Sequence, residues 1–304
     1  MITLGFDTSN YTTSAARFDG TRGDNRSRLL DVKPGELGLR QSDALFAHVQ
    51  RLPGLFRSLM EDCCEPVRAI GVSTRPREVE GSYMPCFLAG TSQAEVLGTA
   101  LRVPVRPFSH QQGHLAAALW AAGRLDLMDR PFLAWHLSGG TTELLFVQPD
   151  NKILTARRIG GTADLSAGQL IDRTGKMLGL PFPAGKALDA LGVKAAGRDA
   201  FRVKCRDLEF SLSGVENQVR AFHERGAPSE ETAAFALRAV VGAVRQATEH
   251  ALAAYPGLEL VFSGGVSANS MLRCAFADAV FCPPRFSTDN AMGPAVLAWR
   301  EEVL

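Results

Sequence analysis

The pattern of apolar positions near the amino terminus predicts a small β-hairpin. The run Ile2 to Phe6 ends at Asp7, and after a hydroxyl-rich turn over residues 8–13 a second run extends from Ser14 to Phe18. Two short strands around a polar turn are typical of a hairpin whose turn can face a phosphate; an ordinary hairpin is the alternative. The basic, glycine-containing stretch to Arg28 is predicted to be an exposed loop, followed by a strand from Leu29 to Val32.

The hairpin pattern returns in the second half of the chain. A strand over Phe132 to Leu137 leads through a turn of small residues into a strand over Glu143 to Val147, and Lys152 to Ile159 is predicted to be a third strand. A repeat of this kind predicts a duplicated α/β unit with a cleft between the copies.

Elsewhere in the chain, apolar residues recur at the spacing of helices. Short apolar runs between these helices predict buried strands. Predicted helices cover residues 41–60, 84–102, 110–123, 229–254 and 291–301, and predicted buried strands cover residues 68–73 and 258–262. Strands that alternate with helices favour an α/β fold.

Two histidines lie four residues apart at the start of one predicted helix. His110 and His114 project from one face of that helix and can share a divalent metal. The spacing is similar to the H-E-x-x-H helix of zinc proteases, but Gln111 stands in place of the glutamate. An amide cannot take a proton from a metal-bound water, so the hydrolytic interpretation lacks its base. The alternative is two histidines on a helix surface.

Glycine and hydroxyl residues follow other predicted strands. Around Ser138, Gly139 and Gly140, backbone amides and hydroxyls can approach an anion closely. A second glycine pair precedes Asn269 at the start of a helix, which suits approach to a nucleobase or ribose. Asp289 stands just before the C-terminal helix, where local sequence favours a simple N-cap.

Composition and charge restrict the class of protein. The chain has 304 residues, 46% of them hydrophobic, which predicts one large or two medium domains. The formal net charge of +1 excludes a global basic field, although a local patch can still bind nucleic acid. Arg75, Arg77 and the stretch Arg22 to Arg28 are interpreted as exposed loops, with RNA phosphate contact as the alternative.

The remaining composition indicates a compartment. Six cysteines form no C-x-x-C pair, the start of the chain leads directly into a strand, and no apolar run reaches membrane-spanning length. We therefore expect a soluble cytoplasmic protein without a membrane partner. The sequence also offers no obvious Ser–His or Cys–His pair for covalent catalysis.

Six motifs in order resemble those of the TsaD family, which makes threonylcarbamoyl-adenosine on tRNA and was formerly described as O-sialoglycoprotein endopeptidase. The motifs are His110-x-x-Gly113-His114, Leu137 to Gly140, Ala167-Gly168-x-x-x-Asp172-x-x-x-Lys176 to Leu180, Phe210-Ser211-x-Ser213-Gly214, Gly264 to Asn269, and Thr288 to Met292. The family is similar to actin, hexokinase and the heat-shock chaperone ATPases. The resemblance implies an α/β fold with two ribonuclease-H-like domains around a nucleotide-binding cleft. Residues 1–125 with the C-terminal helix 290–304 would carry the metal histidines, and residues 126–289 the nucleotide motifs.

The resemblance also implies roles for matching residues. His110, His114 and Asp289 would bind one iron or zinc ion, and an adenine nucleotide (ATP or threonylcarbamoyl-adenylate) would be the second cofactor. The implied nucleotide contacts are Ser138, Gly139 and Gly140 on phosphates, Asp172, Gly185 and Asp189 on ribose hydroxyls, and Asn269 by the base or sugar. The implied partners are tRNA and other subunits of a threonylcarbamoyl-transferase complex. No catalytic residue is assigned.

The implied reaction is acyl transfer, and the chain departs from the family around the transferred group. The usual acidic first turn is replaced by residues 10–12, the histidine after Ser-Gly-Gly by Thr141, and a glutamate by Gln169. These departures suggest a diverged paralogue. We therefore expect a metal-dependent threonylcarbamoyl or carbamoyl transferase. The alternatives are a catalytically reduced nucleotide-binding paralogue that regulates a true family member and, against Gln111, a metalloendopeptidase.

Overall fold

The apolar runs at the amino terminus form the centre of a five-stranded sheet. The structure, a computed structural model, describes residues 1–9, 11–31, 39–197 and 202–303. Its first strands are β1 (Ile2–Asp7), β2 (Thr12–Phe18) and β3 (Gly23–Leu29), followed after a helix by β4 (Val67–Arg75) and β5 (Val105–Ser109). The sheet order is β3-β2-β1-β4-β5, with β1, β2 and β3 antiparallel and β4 and β5 parallel to β1. Strand β1 is buried along its whole length, as expected for a central strand covered on both faces.

The prediction of a loop up to Arg28 followed by a strand from Leu29 is wrong, because the strand β3 covers most of the predicted loop. The strand occupies Gly23–Leu29, paired with β2 from Phe18↔Gly23 to Thr12↔Leu29. Its side chains are half-buried or exposed because it lies at a sheet edge, so it carries no apolar pattern. Val32, at the end of the predicted strand, lies outside the described residues.

The second sheet repeats the strand arrangement of the first. Its strands are β6 (Phe132–Leu137), β7 (Thr142–Asp150), β8 (Ile153–Thr162), β9 (Cys205–Arg206), β10 (Glu209–Phe210), β11 (Leu260–Ser263) and β12 (Val280–Phe281). The order is β12-β11-β6-β7-β8-β10-β9, so that β8-β7-β6-β11-β12 repeats the order of the first sheet. The predicted repeat of a three-stranded meander is confirmed.

Helices cover the sheets. They are α1 (Gln41–Met60), α2 (Leu88–Leu101), α3 (His110–Ala121), α4 (Ala167–Met177), α5 (Gly185–Gly192), α6 (Ser213–Glu224), α7 (Ser229–Ala254), α8 (Ser270–Ala275) and α9 (Met292–Val303). Helix α7 matches its predicted bounds. It packs a face of mostly small apolar side chains against the second sheet. There the buried Trp135 donates a hydrogen bond from Nε1 to Thr248 Oγ1 at 2.8 Å. None of the helices within the described ranges is long and apolar enough to cross a membrane.

The backbone contacts divide the chain into two units. The first contains Met1–Arg130, Gln148–Ala156 and Thr288–Leu304, and the second contains Pro131–Val147 and Arg157–Ser287. The C-terminal helix α9 therefore belongs with the amino-terminal sheet, which brings the end of the chain to the start of α3.

Close backbone approach sets the position of α9 in the first unit. A Cβ atom on Gly5 would lie 2.1 Å from the Ala291 carbonyl oxygen, and one on Gly293 would lie 1.9 Å from the Gly113 carbonyl oxygen. Only glycine allows this spacing, because any side chain would overlap a backbone atom of the neighbouring element. The loop preceding α9, which carries Asp289, is consequently held against the first turn of α3.

Candidate metal centre and nucleotide site

A capping box starts helix α3 at the first histidine. The Ser109 hydroxyl accepts a hydrogen bond from the Gln112 amide at 3.2 Å, while Gln112 Oε1 accepts one from the Ser109 amide at 2.8 Å. The reciprocal bonds satisfy two amides of the helix start and place His110 at the first helical position. His114 follows one turn later on the same face, with its ring 4.3 Å from that of His110 between centroids.

Three side chains of the first unit converge at this point. His110 Nε2 and His114 Nε2 lie 2.9 Å apart, and Asp289 Oδ1 lies 3.4 Å and 3.3 Å from these two nitrogens. Donor atoms bound to one metal at 2.0–2.2 Å are about 3.0–3.6 Å apart at the usual angles. Two imidazoles and a carboxylate in this arrangement fit a divalent transition metal, with positions left open for another ligand.

The loop before α9 turns Asp289 towards the histidines. Asn290 Oδ1 accepts a hydrogen bond from the Met292 amide at 3.1 Å and so serves the first residue of the helix. The first amide of the helix is thus satisfied by Asn290 and not by Asp289. The carboxylate of Asp289 is about a quarter exposed, in contact with both imidazoles.

Asp7, at the end of β1, lies behind the histidine pair. Its Oδ2 is 2.8 Å from His110 Nδ1 and accepts a hydrogen bond from Ser73 Oγ at 2.5 Å. Its Oδ1 accepts hydrogen bonds from the amide and the hydroxyl of Ser9, at 3.0 Å and 2.6 Å. Sequence analysis assigned no role to this residue. The available signal is a carboxylate at the end of a mostly apolar strand.

The electrostatics of the centre favour a cation. Burial lowers the pKa of His110, but the carboxylates of Asp7 and Asp289 outweigh it and raise that pKa to about 10. Burial raises the pKa of Asp7 and of Asp289, yet the adjacent imidazoles outweigh it and hold both values below the ordinary range. Both carboxylates are therefore ionised at neutral pH and place two negative charges around the histidines.

In the second unit, a tight turn joins β6 to β7. The Ser138 amide donates to the Thr141 carbonyl at 2.9 Å, and the Thr141 amide donates to Ser138 Oγ at 3.1 Å. Gly139 and Gly140 between them are exposed, and a side chain at either would meet open space. The two glycines thus leave backbone at the carboxyl end of a strand open to a ligand.

The amino end of α4 packs on this turn. Ser166 caps α4, with its hydroxyl accepting from the Gln169 amide at 3.1 Å and donating to the Gly139 carbonyl at 2.7 Å. A Cβ atom on Gly168 would lie 2.4 Å from the Ser138 carbonyl oxygen. The positive end of a helix is therefore fixed beside the exposed glycines, which favours an anion there.

Asp172, in the second turn of α4, organises the start of α5. Its Oδ1 accepts a hydrogen bond from the Ala184 amide at 2.8 Å, directly before Gly185 begins the helix. The structure therefore brings Asp172 and Gly185 close together, and the second carboxylate oxygen of Asp172 retains acceptor capacity.

Asp189 and Asn269 form a second pair. Asn269 Nδ2 donates to Asp189 Oδ1 at 2.8 Å, and the Ser270 hydroxyl donates to the same oxygen at 2.9 Å. Asn269 also caps α8 through the Leu272 amide at 2.9 Å. The glycine loop after β11 is thereby connected to α5, although Asp189 already accepts several protein hydrogen bonds.

One serine–histidine contact in the structure was not foreseen. Ser263 lies opposite His136 in the neighbouring strand, with Oγ 3.1 Å from His136 Nδ1. Ser263 is 2% exposed, and its hydroxyl also lies 3.3 Å from the Trp135 carbonyl oxygen. A buried cross-strand contact of this kind stabilises the sheet and does not present a nucleophile.

Three of the candidate RNA-contacting arginines are paired with nearby carboxylates. Arg75 forms two hydrogen bonds of 2.7 Å with Glu78, and Arg26 forms one of 2.7 Å with Asp24. Arg22 lies 3.7 Å from Asp19. Local pairing weakens the positive field that an RNA backbone would meet at these loops.

The repeated strand order and the glycine-rich turns at strand ends define an α/β fold of the actin–hexokinase type. The structure of full-length HypF in its phosphate- and nucleotide-bound form is similar with a TM-score of 0.63, at 14% identity over 98% of this chain and 46% of HypF. A glucokinase of the ROK family from Streptomyces griseus has a TM-score of 0.52, at 13% identity over 98% and 99% of the two chains. These likenesses confirm the predicted fold class.

The sequence narrows the class to one family. The model of the TsaD family, tRNA N6-adenosine threonylcarbamoyltransferase, matches residues 36–296, and this chain belongs to that family. The tRNA N6-adenosine threonylcarbamoyltransferase of Lacticaseibacillus casei (strain BL23) is 33% identical over 225 residues, which are 67% of this chain and 63% of the relative. The chain thus spans 63% of the length of that relative. The predicted family is confirmed.

Proposed function

We propose that this protein transfers a threonylcarbamoyl group to N6 of an adenosine in tRNA. Membership of the TsaD family supports the reaction class. The observation that carries the proposal is the convergence of His110, His114 and Asp289, whose donor atoms come from distant parts of the sequence and lie within metal-binding distance of one another.

In this proposal the three side chains hold one divalent iron or zinc ion. When bound, that ion would supply a Lewis acid that neutralises charge on a phosphate or carbamoyl oxygen. Each histidine directs one ring nitrogen to a common point, and Asp289 adds an anionic oxygen there. The chain itself therefore provides a prearranged donor set whose negative charge attracts the cation.

The second unit is proposed to bind the nucleotide part of the substrate. The exposed backbone at Gly139 and Gly140, next to the amino end of α4, supports phosphate binding. Asp172 and Asp189 would accept hydrogen bonds from ribose hydroxyls beside Gly185, and Asn269 would lie by the base or sugar.

The proposed chemistry needs no protein nucleophile. The N6 amine of adenosine attacks the carbamoyl carbon of threonylcarbamoyl-adenylate, a carbon–nitrogen bond forms, and the bond from that carbon to the phosphate oxygen breaks. AMP leaves, and the amine loses one proton. The chain's part is to orient the adenylate and to balance charge on the leaving phosphate, which is consistent with the buried, hydrogen-bonded state of Ser263.

A turnover assay tests the proposal. Purified protein is incubated with threonylcarbamoyl-adenylate and a tRNA transcript, with and without other subunits of a threonylcarbamoyl-transferase complex, and the modified nucleoside is measured by mass spectrometry. We expect modification by the wild type and at least a 100-fold loss in Asp289→Ala, because one of three donors is removed. Asp278→Ala, which removes an exposed aspartate of the second unit, is the matched control and should remain active. Tight nucleotide binding by a wild type that never modifies tRNA would reject the proposal.

A further inference from the structure

A buried hydrogen-bond network surrounds the carboxylate of Asp7. The residue is 1% exposed and lies at the end of the central strand β1. Four hydrogen bonds meet its two oxygens: two from Ser9, one from Ser73 and one from His110. Ser9 and Ser73 are themselves buried, at 2% and 0% exposure, so the arrangement is built into the core of the first unit.

The network determines which nitrogen of His110 carries a proton. An ionised carboxylate only accepts hydrogen bonds, so the contact of 2.8 Å requires a proton on His110 Nδ1. When a metal takes the place of the proton on Nε2, the Nδ1 proton would stay on the side of Asp7 and Nε2 would supply its lone pair to the metal. It is Nε2 that faces His114 and Asp289 at 2.9 Å and 3.4 Å.

We propose that Asp7 is a positioning residue that fixes His110 in the tautomer able to bind a metal through Nε2. Ser9 and Ser73 hold the carboxylate in place, and Asp7 itself does not touch the metal. A carboxylate behind a ligating histidine orients the ring and increases the basicity of its donor nitrogen. This inference rests on the proposed metal role of His110, His114 and Asp289.

The substitution Asp7→Asn changes the hydrogen bonds that residue 7 can make while keeping the size of its side chain. The amide oxygen of Asn can keep the hydrogen bonds from Ser9, which leaves the amide NH2 facing His110 Nδ1. His110 must then accept at Nδ1 and carry its proton on Nε2, the tautomer that cannot bind a metal. The ring also packs against Phe87, with centroids 6.2 Å apart, so we expect it to stay near its position.

The experiment compares variants of the full-length protein by two readouts other than activity. Zn²⁺ affinity is measured by competition with a chromophoric chelator, and the proton on His110 Nδ1 is observed by ¹⁵N-resolved NMR of the Zn²⁺-loaded, ¹⁵N-labelled protein. We expect Asp7→Asn to weaken Zn²⁺ binding by about 10- to 100-fold and to abolish the protected Nδ1 proton signal. Ser73→Ala should weaken binding less, because Ser9 still holds the other oxygen.

Ser14→Ala is the matched control. The Ser14 hydroxyl is buried and also bonds Asp7, but through the main-chain carbonyl at 3.0 Å, so its loss should leave Zn²⁺ affinity within a factor of two. One result would overturn the role of Asp7 and leave the metal centre standing. In that result Asp7→Asn and Ser73→Ala both keep their Zn²⁺ affinity and the Nδ1 proton, while Asp289→Ala loses its affinity. A wild type that binds no Zn²⁺, or an Asp289→Ala that binds it normally, would overturn the metal centre and the role of Asp7 with it.

Discussion

At the scale of single residues, the role of a carboxylate depends on the hydrogen-bond donors that surround it. Asp164 is an example, since it accepts hydrogen bonds from the hydroxyls of Ser211 and Ser213 at 2.6 Å and 2.5 Å and from the Leu212 amide at 2.9 Å. The motif Phe210-Ser211-x-Ser213-Gly214 is thereby tied to the segment preceding α4.

Replacing Asp164 by Asn should lower stability in a pH-dependent way. Burial raises the pKa of Asp164, but the hydrogen bonds from the two serines and from backbone amides lower it further, well below the ordinary value. A carboxyl group with a lowered pKa stabilises the fold above about pH 4 and loses that contribution as the pH falls. Because Asp164 is exposed and solvent screens its charge, we expect Asp164→Asn to reduce the free energy of unfolding at pH 7 by only about 1 kcal/mol, as urea titration would measure.

The pH dependence provides the internal check. The difference between wild type and Asp164→Asn should shrink as the pH falls below about 4, because the carboxyl group then binds a proton in the unfolded chain while it stays ionised in the folded protein. Asp278→Asn, at an exposed position of the same unit, should change stability little at either pH. An equal difference at pH 7 and pH 3 would contradict the ionic origin of the effect.

At the scale of elements, the periodic segments were predicted well and the edges were not. Helix α7 and strand β1 carry strong apolar patterns, so their bounds follow from the sequence. Strand β3 exists because β2 supplies backbone partners. Ser166 caps α4 because the first amide of that helix, from Ala167, is held by the Thr142 hydroxyl of β7. Neither cause is local, so local patterns could not reveal it.

Helix α9 gives the prediction at this scale. A methyl group in Gly293→Ala would lie 1.9 Å from the Gly113 carbonyl oxygen, and α9 would have to move away from α3. We expect a loss of about 3 kcal/mol in the free energy of unfolding, together with weaker Zn²⁺ binding because Asp289 moves with the helix. Chemical denaturation and the chelator competition assay measure the two effects.

Gly242→Ala is the control for this helix substitution. Gly242 lies within α7, is exposed, and would direct a methyl group into open space. Replacing it should stabilise the protein by about 0.5–1 kcal/mol through helix propensity. If Gly293→Ala were as stable as this control, the close approach of α9 and α3 would not constrain the fold.

At the scale of the whole molecule, the proposed ligands should protect different units. The proposed metal donors all belong to the first unit, and the proposed nucleotide contacts all belong to the second. A ligand present at 100 times its dissociation constant stabilises what it binds by about 2.7 kcal/mol. We expect Zn²⁺ to slow hydrogen exchange in peptides covering residues 110–114 and 288–292, and ATP to slow it in residues 138–141, 166–172 and 264–270.

Metal removal and one variant distinguish the protection due to Zn²⁺ from the protection due to ATP. Treatment with EDTA should reverse the protection due to Zn²⁺ and leave the protection due to ATP. Asp289→Ala should abolish the first and keep the second. Protection by Zn²⁺ that persists in Asp289→Ala would place the metal elsewhere in the molecule.

The sequence by itself determined the repeated hairpins, the helices with strong apolar faces and the histidine pair, because each depends on neighbours close in the chain. It also indicated the family, because six short motifs occur in the family's order. Asp289 was reached through family resemblance, since its local sequence favours an N-cap. Only the tertiary structure placed it beside the histidines, because Gly5, Gly113 and Gly293 let α9 approach β1 and α3 across nearly the whole chain. Only the structure also gave Asp7 a partner, because a buried carboxylate at a strand end acquires its role from the side chains that the fold brings to it.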